Sequence, residues 1–409
     1  MGSTFVEFFS DEALENVMCL LEYKPDHIIY LGYKVTMVTR KMKSLKQFAG
    51  IVSPDTKLEF IEVQRDNLDA CIRSLSEIAD KYPDAFYELT GGGEMLLIAF
   101  GFISATKSLK TLRIDPYTGL EVNMLPGHSP KQQKDKMKIS VKENIILHGG
   151  LLTRQTGSYS TWSFTTEFKE DIRIIWDIAR RLEHKWNRYC SVIEDVVKAN
   201  PCDETGYYVL PKSSLGEAGA LLGKLNGKGM LKDFSQDNKR IRFRFKNSSI
   251  KHIVTKTGNI LELHVYEVAS RAPEIFTDQI IGAMIDWNGD KTETEKADFA
   301  SDYEKYMQSS YDTINEIDVV LMRSTAPIFI SCKSGKAGSS ALHELETVTR
   351  RFGGKYASKA LAMALPLESS ANGSSFFRER AKEMHIWVID NIYHLTDEEL
   401  LNKLIKLQP

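Results

Sequence analysis

Two short stretches of the sequence carry residue types that together can cut a phosphodiester: Asn315-Glu316-Ile317-Asp318 and, a little further on, Ser331-Cys332-Lys333. Both read as strands. Alternate residues of a strand share a face, so Glu316 should project with Asp318, and Ser331 with Lys333, while Ile317, Val319, Ile330 and Cys332 face the other way. Two carboxylates beside a lysine are costly to bury unless something holds them together, and a divalent cation does so by taking hard oxygen ligands. The lysine would then orient or deprotonate the attacking water, or neutralise the pentavalent phosphate. Metal-assisted hydrolysis needs this combination of charge stabilisation and a nucleophile formed near neutral pH. A solvated edge strand can carry similar charges by chance. Here the apolar runs Val319-Val320-Leu321 and Pro327-Ile328-Phe329-Ile330 make both strands core, which favours the chemical reading. Glu262, on a helix expected from Ile260 to Ala269, shares a helical face with Tyr266 and could complete a metal shell. The helix expected after Lys333 carries His343, Glu344 and Glu346; these are assigned to solvent, since His343 has no partner at metal-ligand spacing.

A second motif lies near the start. The strand Phe86-Tyr87-Glu88-Leu89 runs into Thr90-Gly91-Gly92-Gly93-Glu94, and strand, glycine-rich turn and helix start form an anion-ready place where backbone N–H groups and the helix dipole face a ligand. Leu96 stands at the third glycine position of a dinucleotide fingerprint and no Walker lysine follows, so neither NAD nor ATP is indicated. The loop Ser10-Asp11-Glu12 after the first strand faces the same crevice of an open parallel sheet, although Ser10 and Asp11 would also make a good helix N-cap. A third feature is the strand Lys239 to Lys246, which alternates so that Arg240, Arg242, Arg244 and Lys246 share one face, as a phosphate-tracking surface or a protected edge strand would.

The elements that position these residues divide the chain into thirds. At 409 residues, two or three independently cored units are expected. The first third alternates apolar runs (Phe5 to Phe9, His27 to Leu31, Leu58 to Val63, Ala85 to Leu89) with helical stretches (Glu12 to Leu21, Leu68 to Lys81), which reads as a parallel α/β sheet. Pro126-Gly127 and the lysine-rich stretch from Lys131 to Lys138 mark a domain edge. The middle third offers one long amphipathic helix, Glu170 to Ala199, a second from Leu215 to Leu225, and the basic strand, in an order that suggests a small winged-helix-like connector. The last third has strands at Ile281 to Trp287, Glu316 to Met322, Ile328 to Cys332 and Met384 to Ile389, a helix from Ala341 to Phe352, and a long segment, Asn288 to Ile314, between two core strands. We therefore divide the chain at 1–135, 136–250 and 251–409.

Composition narrows the partners. A formal net charge of -2 does not announce a nucleic-acid binder, so any basic surface must be local. Five scattered cysteines without a CxxC pair argue against a disulfide framework or structural zinc and fit a reducing cytoplasm. No apolar run is long enough to cross a membrane, the start lacks signal-peptide character, and Val6 stands where a myristoylation start wants Ser or Thr.

The runs Asn-Glu-Ile-Asp-Val-Val and Pro-Ile-Phe-Ile-Ser-Cys-Lys-Ser-Gly, with Ile285-Asp286-Trp287 and Arg351-Phe352-Gly353-Gly354, resemble the restriction-endonuclease-like, PD-(D/E)xK domain of the CRISPR ancillary nucleases. The resemblance runs from about Thr257 to Asp390, and in that family the domain follows a CRISPR-associated Rossmann-fold (CARF) sensor. The whole chain resembles the type III CRISPR ancillary nucleases switched on by cyclic tetra-adenylate. By resemblance, Asp318 matches the metal-binding aspartate, Lys333 the catalytic lysine, Glu262 the helix glutamate and Glu316 a recurrent position. Ser331 departs from the pattern, which has Asp or Glu there. Either Glu316 or Glu262 supplies the missing charge, or metal binds weakly; Glu262, Asp318 and the Cys332 carbonyl are the expected ligands of Mg or Mn. Ser10, Asp11, Thr90, Gly91 and Gly92 are carried over as contacts to the cyclic oligonucleotide. A two-fold-symmetric ring is naturally shared by a homodimer. The implied substrates are single-stranded DNA or RNA and nicked supercoiled duplex. The alternative is a ligand-responsive DNA-binding regulator with a degenerate nuclease domain.

Overall fold

The computed structural model describes residues 3–122, 137–155, 163–287, 289, 314–367 and 374–408. The first unit alternates strands and helices: β1 (Thr4–Phe8), a 3-10 turn (Ala13–Val17) running into α1 (Met18–Tyr23), β2 (His27–Tyr33), α2 (Thr39–Val52), β3 (Lys57–Val63), α3 (Leu68–Lys81), β4 (Phe86–Glu88), α4 (Glu94–Ser104) and β5 (Lys110–Leu112). All five strands are parallel, in the order β3-β2-β1-β4-β5. The chain winds outward from β1 to β3, then returns to add β4 on the other side of β1. That reversal places a crevice beyond the carboxyl ends of β1 and β4, where open parallel sheets bind ligands. Ile114 pairs with Glu121 through an isolated antiparallel bridge, and Lys131 to Lys136, in the expected domain edge, lie outside the described residues.

Next come α5 (Val141–Leu147) and β6 (Leu151–Gln155), then α6 (Thr166–Leu182) and α7 (His184–Ala199). The single long helix expected from Glu170 to Ala199 is therefore two. Glu183 takes φ 48°, a left-handed conformation that a side chain resists, and it breaks the helical hydrogen bonds there. A small unit follows: β7 (Tyr208–Pro211), α8 (Lys212–Leu215), α9 (Gly219–Gly227), β8 (Leu231–Gln236) and β9 (Arg240–Phe245), with antiparallel order β7-β9-β8. Helices α10 (Ser248–Thr255) and α11 (Asn259–Ala269) lead into β10 (Asp278–Asp286), β11 (Ile314–Arg323), β12 (Ala326–Lys333), α12 (Ser339–Gly353), β13 (Ser358–Met363), α13 (Ser374–Glu383), β14 (Trp387–Ile389) and α14 (Asp397–Ile405).

The sheet built from these last strands has the order β14-β13-β12-β11-β10-β6, so the expected boundary at 250 does not hold for α5 and β6: residues 151–155 pair with β10 and complete the far edge. Nor are the cores independent. One face of this sheet (Ala283, Ile285, Val320, Phe329, Leu361) packs in a core that continues into the parallel sheet through Phe5, Phe9 and Tyr30. The other face (Ile281, Val319, Ile330, Ala362) packs against α6, α7 and α11 in a core that extends under the small antiparallel sheet. About three quarters of the chain length separates β1 from β11, yet hydrophobic burial welds their units together. The segment from Asn288 to Ile314 falls almost wholly outside the described residues.

Candidate functional site

Strand alternation places Ser331 and Lys333 as expected: each pairs with a residue of β13, Leu361 and Met363, on the face turned toward the shared core, while Cys332 turns to the other. Glu316 and Asp318 do not follow simple alternation. Ile317 packs in the shared core, but Val319, two residues on, packs on the opposite face. The same switch occurs on β10 between Ile281 and Ala283, around Gly282 at φ 59°. A glycine with positive φ lets the paired strands reverse their faces at this point. The bend falls at Asp318 and ends its ordinary pairing with β12, since the ladder begins only at Val319 and Ile330. The N–H of Cys332 donates instead to Asp318 Oδ2 at 2.5 Å, and Ser331 Oγ donates to the same oxygen at 3.3 Å.

Burial pushes the Asp318 carboxyl above the usual carboxylate range, against the opposing pull of the Cys332 N–H, Lys333 and Ser331. Loss of solvent around its carboxyl, and then repulsion from Asp318, raise Glu316 as well, although part of its surface stays open. Such a pair gains most from a cation. Glu262 lies in the first turn of α11, half-buried as is Tyr266, and its charge reaches Cys332. Three residues escaped the sequence reading. Glu344, assigned to solvent, is exposed on α12 but adds its negative charge to the field at Asp318. Lys256 offsets Glu316. Asn187 of α7 donates to Ser334 Oγ at 2.9 Å, fixing the chain just beyond Lys333. Only Glu344 had a legible signal, its place on the helix that follows the lysine.

The donors suit a hard cation, being carboxylate oxygens. Among the described residues no three His, Cys, Asp or Glu groups converge as a ready-made metal cage. Mg²⁺ is usually held by one or two carboxylates, its remaining positions going to water and substrate phosphate, so Asp318 with Glu262 or Glu316 is a sufficient set.

At the other crevice, the loops after β1 and β4 touch. A Cβ on Gly91 would lie 2.9 Å from Ser10 Cβ, one on Gly92 2.3 Å from Phe8 Cβ, and one on Gly93 2.2 Å from the Tyr33 ring. Gly92 also has φ 106°. The predicted polar side chains are largely spent within the protein. Ser10 Oγ donates to Glu15 Oε2 at 2.5 Å and accepts from the Glu12 N–H at 3.2 Å, rather than capping a regular helix. Thr90 Oγ1 lies within hydrogen-bond reach of both the Ile114 carbonyl and Glu88, its single proton serving one at a time, and accepts from the Ile114 N–H at 2.9 Å. Asp11 pairs with Lys41 at the surface. Around the crevice, Gly91 is buried, Gly92 and Gly93 are half-buried like Ser10 and Thr90, and Asp11 and Glu94 are exposed. Beneath it, the buried carboxyls of Glu7 and Glu88 face each other across β1 and β4; burial raises both, Glu88 to about 7.

Glu15 joins the two regions. Nearly buried, it accepts from Ser10 on one side, and on the other from Tyr356 Oη and Lys355 Nζ, each at 2.6 Å. Tyr356 lies two residues before β13, the strand that pairs with Ser331 and Lys333.

No family model and no curated protein matches the sequence. Among solved structures, the chain is similar to the protein VC1899 from Vibrio cholerae (TM-score 0.74, 14% identity, covering 99% of this chain and 97% of that one). It is also similar to Can2 from Sulfobacillus thermosulfidooxidans, solved in complex with cyclic tetra-adenylate (TM-score 0.68, 16% identity, 99% and 98% covered). At these identities the likeness is one of fold, and it extends over nearly the full length of this chain and of both proteins.

Proposed function

We propose that the chain is a metal-dependent nuclease switched on by a cyclic oligoadenylate, with cyclic tetra-adenylate as the activator, acting in type III CRISPR defence. The observation that carries this reading is the meeting of Asp318, Glu316 and Lys333 at the bend between β11 and β12, within a chain that shares its fold end to end with a protein solved with that ring. In this reading residues 1–135 form the CARF sensor, the middle holds a winged-helix-like connector, and the C-terminal sheet, with β6 added, is the PD-(D/E)xK nuclease. Mg²⁺ or Mn²⁺, held by Asp318 with Glu262 or Glu316 and the Cys332 carbonyl, supplies charge stabilisation at the scissile phosphate. Cys332 N–H and Ser331 fix the Asp318 carboxylate, and Lys333 orients the attacking water or neutralises charge on the phosphate. The substrates are single-stranded DNA or RNA and supercoiled DNA, which is nicked.

The Gly92–Gly93 backbone and the start of α4 are the ring's docking place, and the contact from Ser10 through Glu15 to Tyr356 offers a direct path to the catalytic strand. The homodimer is supported by α4, whose face with Leu97, Ile98 and Phe102 is exposed although the helix is apolar on nearly every side. A helix of that composition is normally covered. The test is incubation of the protein with Mn²⁺ and either plasmid or a labelled single strand, with and without cyclic tetra-adenylate, beside Lys333→Ala. Cleavage that needs the ring and is lost in the variant is expected. Absence of cleavage with every divalent metal tried would overturn the reading.

A further inference from the structure

The small unit between α7 and α10 has the element order helix, strand, helix, helix, strand, strand, from α7 through β9. Its core is the inner face of β9, Ile241, Phe243 and Phe245, packed with Tyr208, Leu221, Leu222 and Leu225. This is the element order of a winged helix-turn-helix, in which α9, packed on the core by Leu221, Leu222 and Leu225, takes the place of the second helix of the turn and the β8–β9 hairpin that of the wing.

The charge on this unit is local and one-sided. Residues 201–246 contain nine Lys or Arg against five Asp or Glu, in a chain whose net charge is -2. The expectation that Arg240, Arg242, Arg244 and Lys246 would form one free basic face needs correction. Arg244 is held by Asp233 and Lys246 by Asp171 and Glu167, so the inner end of the strand is neutralised by the protein itself. The outer end is not. Lys239 and Arg240 at the hairpin tip are exposed and make no ion pair among the described residues, although Asp237 accepts from both backbone N–H groups and feels the Arg240 charge, and Arg242 lies over the Tyr207 ring at 3.4 Å with Asp203 and Asp233 in its field. Lys224 and Lys228, at the end of α9, are exposed and likewise unpaired among the described residues.

Helix α9 has a second oddity. Gly223 and Gly227 lie one turn apart on its exposed side, and a Cβ at either would meet nothing within 4 Å. No neighbour within 4 Å of a Cβ requires either glycine, and Gly223, inside the helix, costs about 1 kcal/mol relative to alanine, while Gly227 closes the helix. A strip without side chains, flanked by lysines, lets a bulky anionic surface come close to the helix.

We propose that α9 and the β8–β9 hairpin form a docking surface for duplex DNA. The B-form major groove admits an α-helix, whereas the deep, narrow major groove of A-form RNA does not, which selects DNA over double-stranded RNA. The proposal deepens the nuclease reading and rests on it for its consequence: α7 carries Asn187, bonded to Ser334 beside Lys333, and Tyr189 and Arg188, bonded to Glu217 just before α9. One helix thus ties the docking unit to the catalytic strand and sets the distance from grip to cut.

The test measures binding by full-length protein carrying Lys333→Ala, so that no probe is cut, to a labelled DNA duplex of about 20 base pairs, two helical turns. Adding Lys224→Glu, Lys228→Glu, Arg240→Glu and Arg242→Glu should weaken duplex binding at least about tenfold and make the slope of log affinity against log salt shallower by about 3 to 4. Binding of cyclic tetra-adenylate should not change. Gly223→Gln with Gly227→Gln, which favours the helix, should leave thermal stability equal or higher and still weaken duplex binding. Unchanged duplex affinity and salt slope in the charge variant would overturn the proposal, as would equal losses for duplex DNA and duplex RNA. Cleavage by the unmodified protein is read separately, so a failed nuclease reading and a failed docking surface give different results.

Discussion

The crevice at β1 and β4 and the bend at β11 and β12 both gather polar residues at the ends of buried strands, but they dispose of them oppositely. At the bend, Ser331 and the Cys332 N–H converge on one oxygen of Asp318, and the charged groups of Glu316 and Lys333 stay partly open. At the crevice, the Ser10 and Thr90 hydroxyls are engaged with Glu15, Glu88 and Ile114 inside the protein, and the glycine turn brings backbone close to Ser10 and Phe8. A buried hydroxyl or carboxylate must find a partner, and where the protein supplies all of them the side chain is structural, however well its position matches a motif. On the proposed function, chemistry at the bend would depend on side-chain identity, and recognition at the crevice on loop shape.

The largest effect that would sharpen this contrast is on Lys333. Its replacement by alanine should reduce metal-dependent cleavage at least about a hundredfold, the usual scale for a positioned proton-transfer group, while activator binding by calorimetry stays unchanged. Next, Glu262→Ala and Glu316→Ala should separate the two candidates for the charge missing at Ser331. The variant lacking the true ligand should need about tenfold or more Mn²⁺ for half-maximal cleavage, and an equal, negligible shift in both would remove them from the metal shell.

A smaller effect concerns the acids under the crevice. Glu88, raised from an ordinary 4.5 to about 7, binds its proton more tightly in the folded protein. The stability this contributes is full below about 4.5 and lost as pH rises through about 7. Denaturation should thus show the protein less stable at pH 8 than at pH 6, by about 1 kcal/mol from this group, with the difference reduced in Glu88→Gln. The smallest effects bear on the comparison most directly. Ser10→Ala and Thr90→Ala should each cost about 1 kcal/mol of stability and leave activator affinity nearly unchanged, as lost internal hydrogen bonds would. A large loss of affinity at constant stability would break the contrast and return these hydroxyls to the ligand.

Much of the fold was legible in local pattern. Helix α3 spans Leu68–Lys81, the bounds its apolar spacing implied, and β1, β2, β3, β11 and β12 fall within a residue or two of the runs that announced them. Those segments bury one consistent face, so periodicity reports them. Strands β6 and β13 were missed: one is five residues long, and the other, Ser358–Met363, is small and alanine-rich. Neither has a pattern of its own, and each is held by the neighbour it pairs with.

The sequence by itself determined which residues could do chemistry, because residue type and spacing fix what a strand or turn can present: Asp318, Lys333 and the glycine run were visible without coordinates. Only the tertiary structure decided how they are used. The face switch at Gly282 and Asp318 comes from pairing between strands, the internal engagement of the Ser10 and Thr90 hydroxyls comes from Glu15 and Glu88 beside them, and the neutralisation of Arg244 and Lys246 comes from carboxylates on other elements. Each is a contact between distant positions, and one-dimensional periodicity holds no record of such contacts.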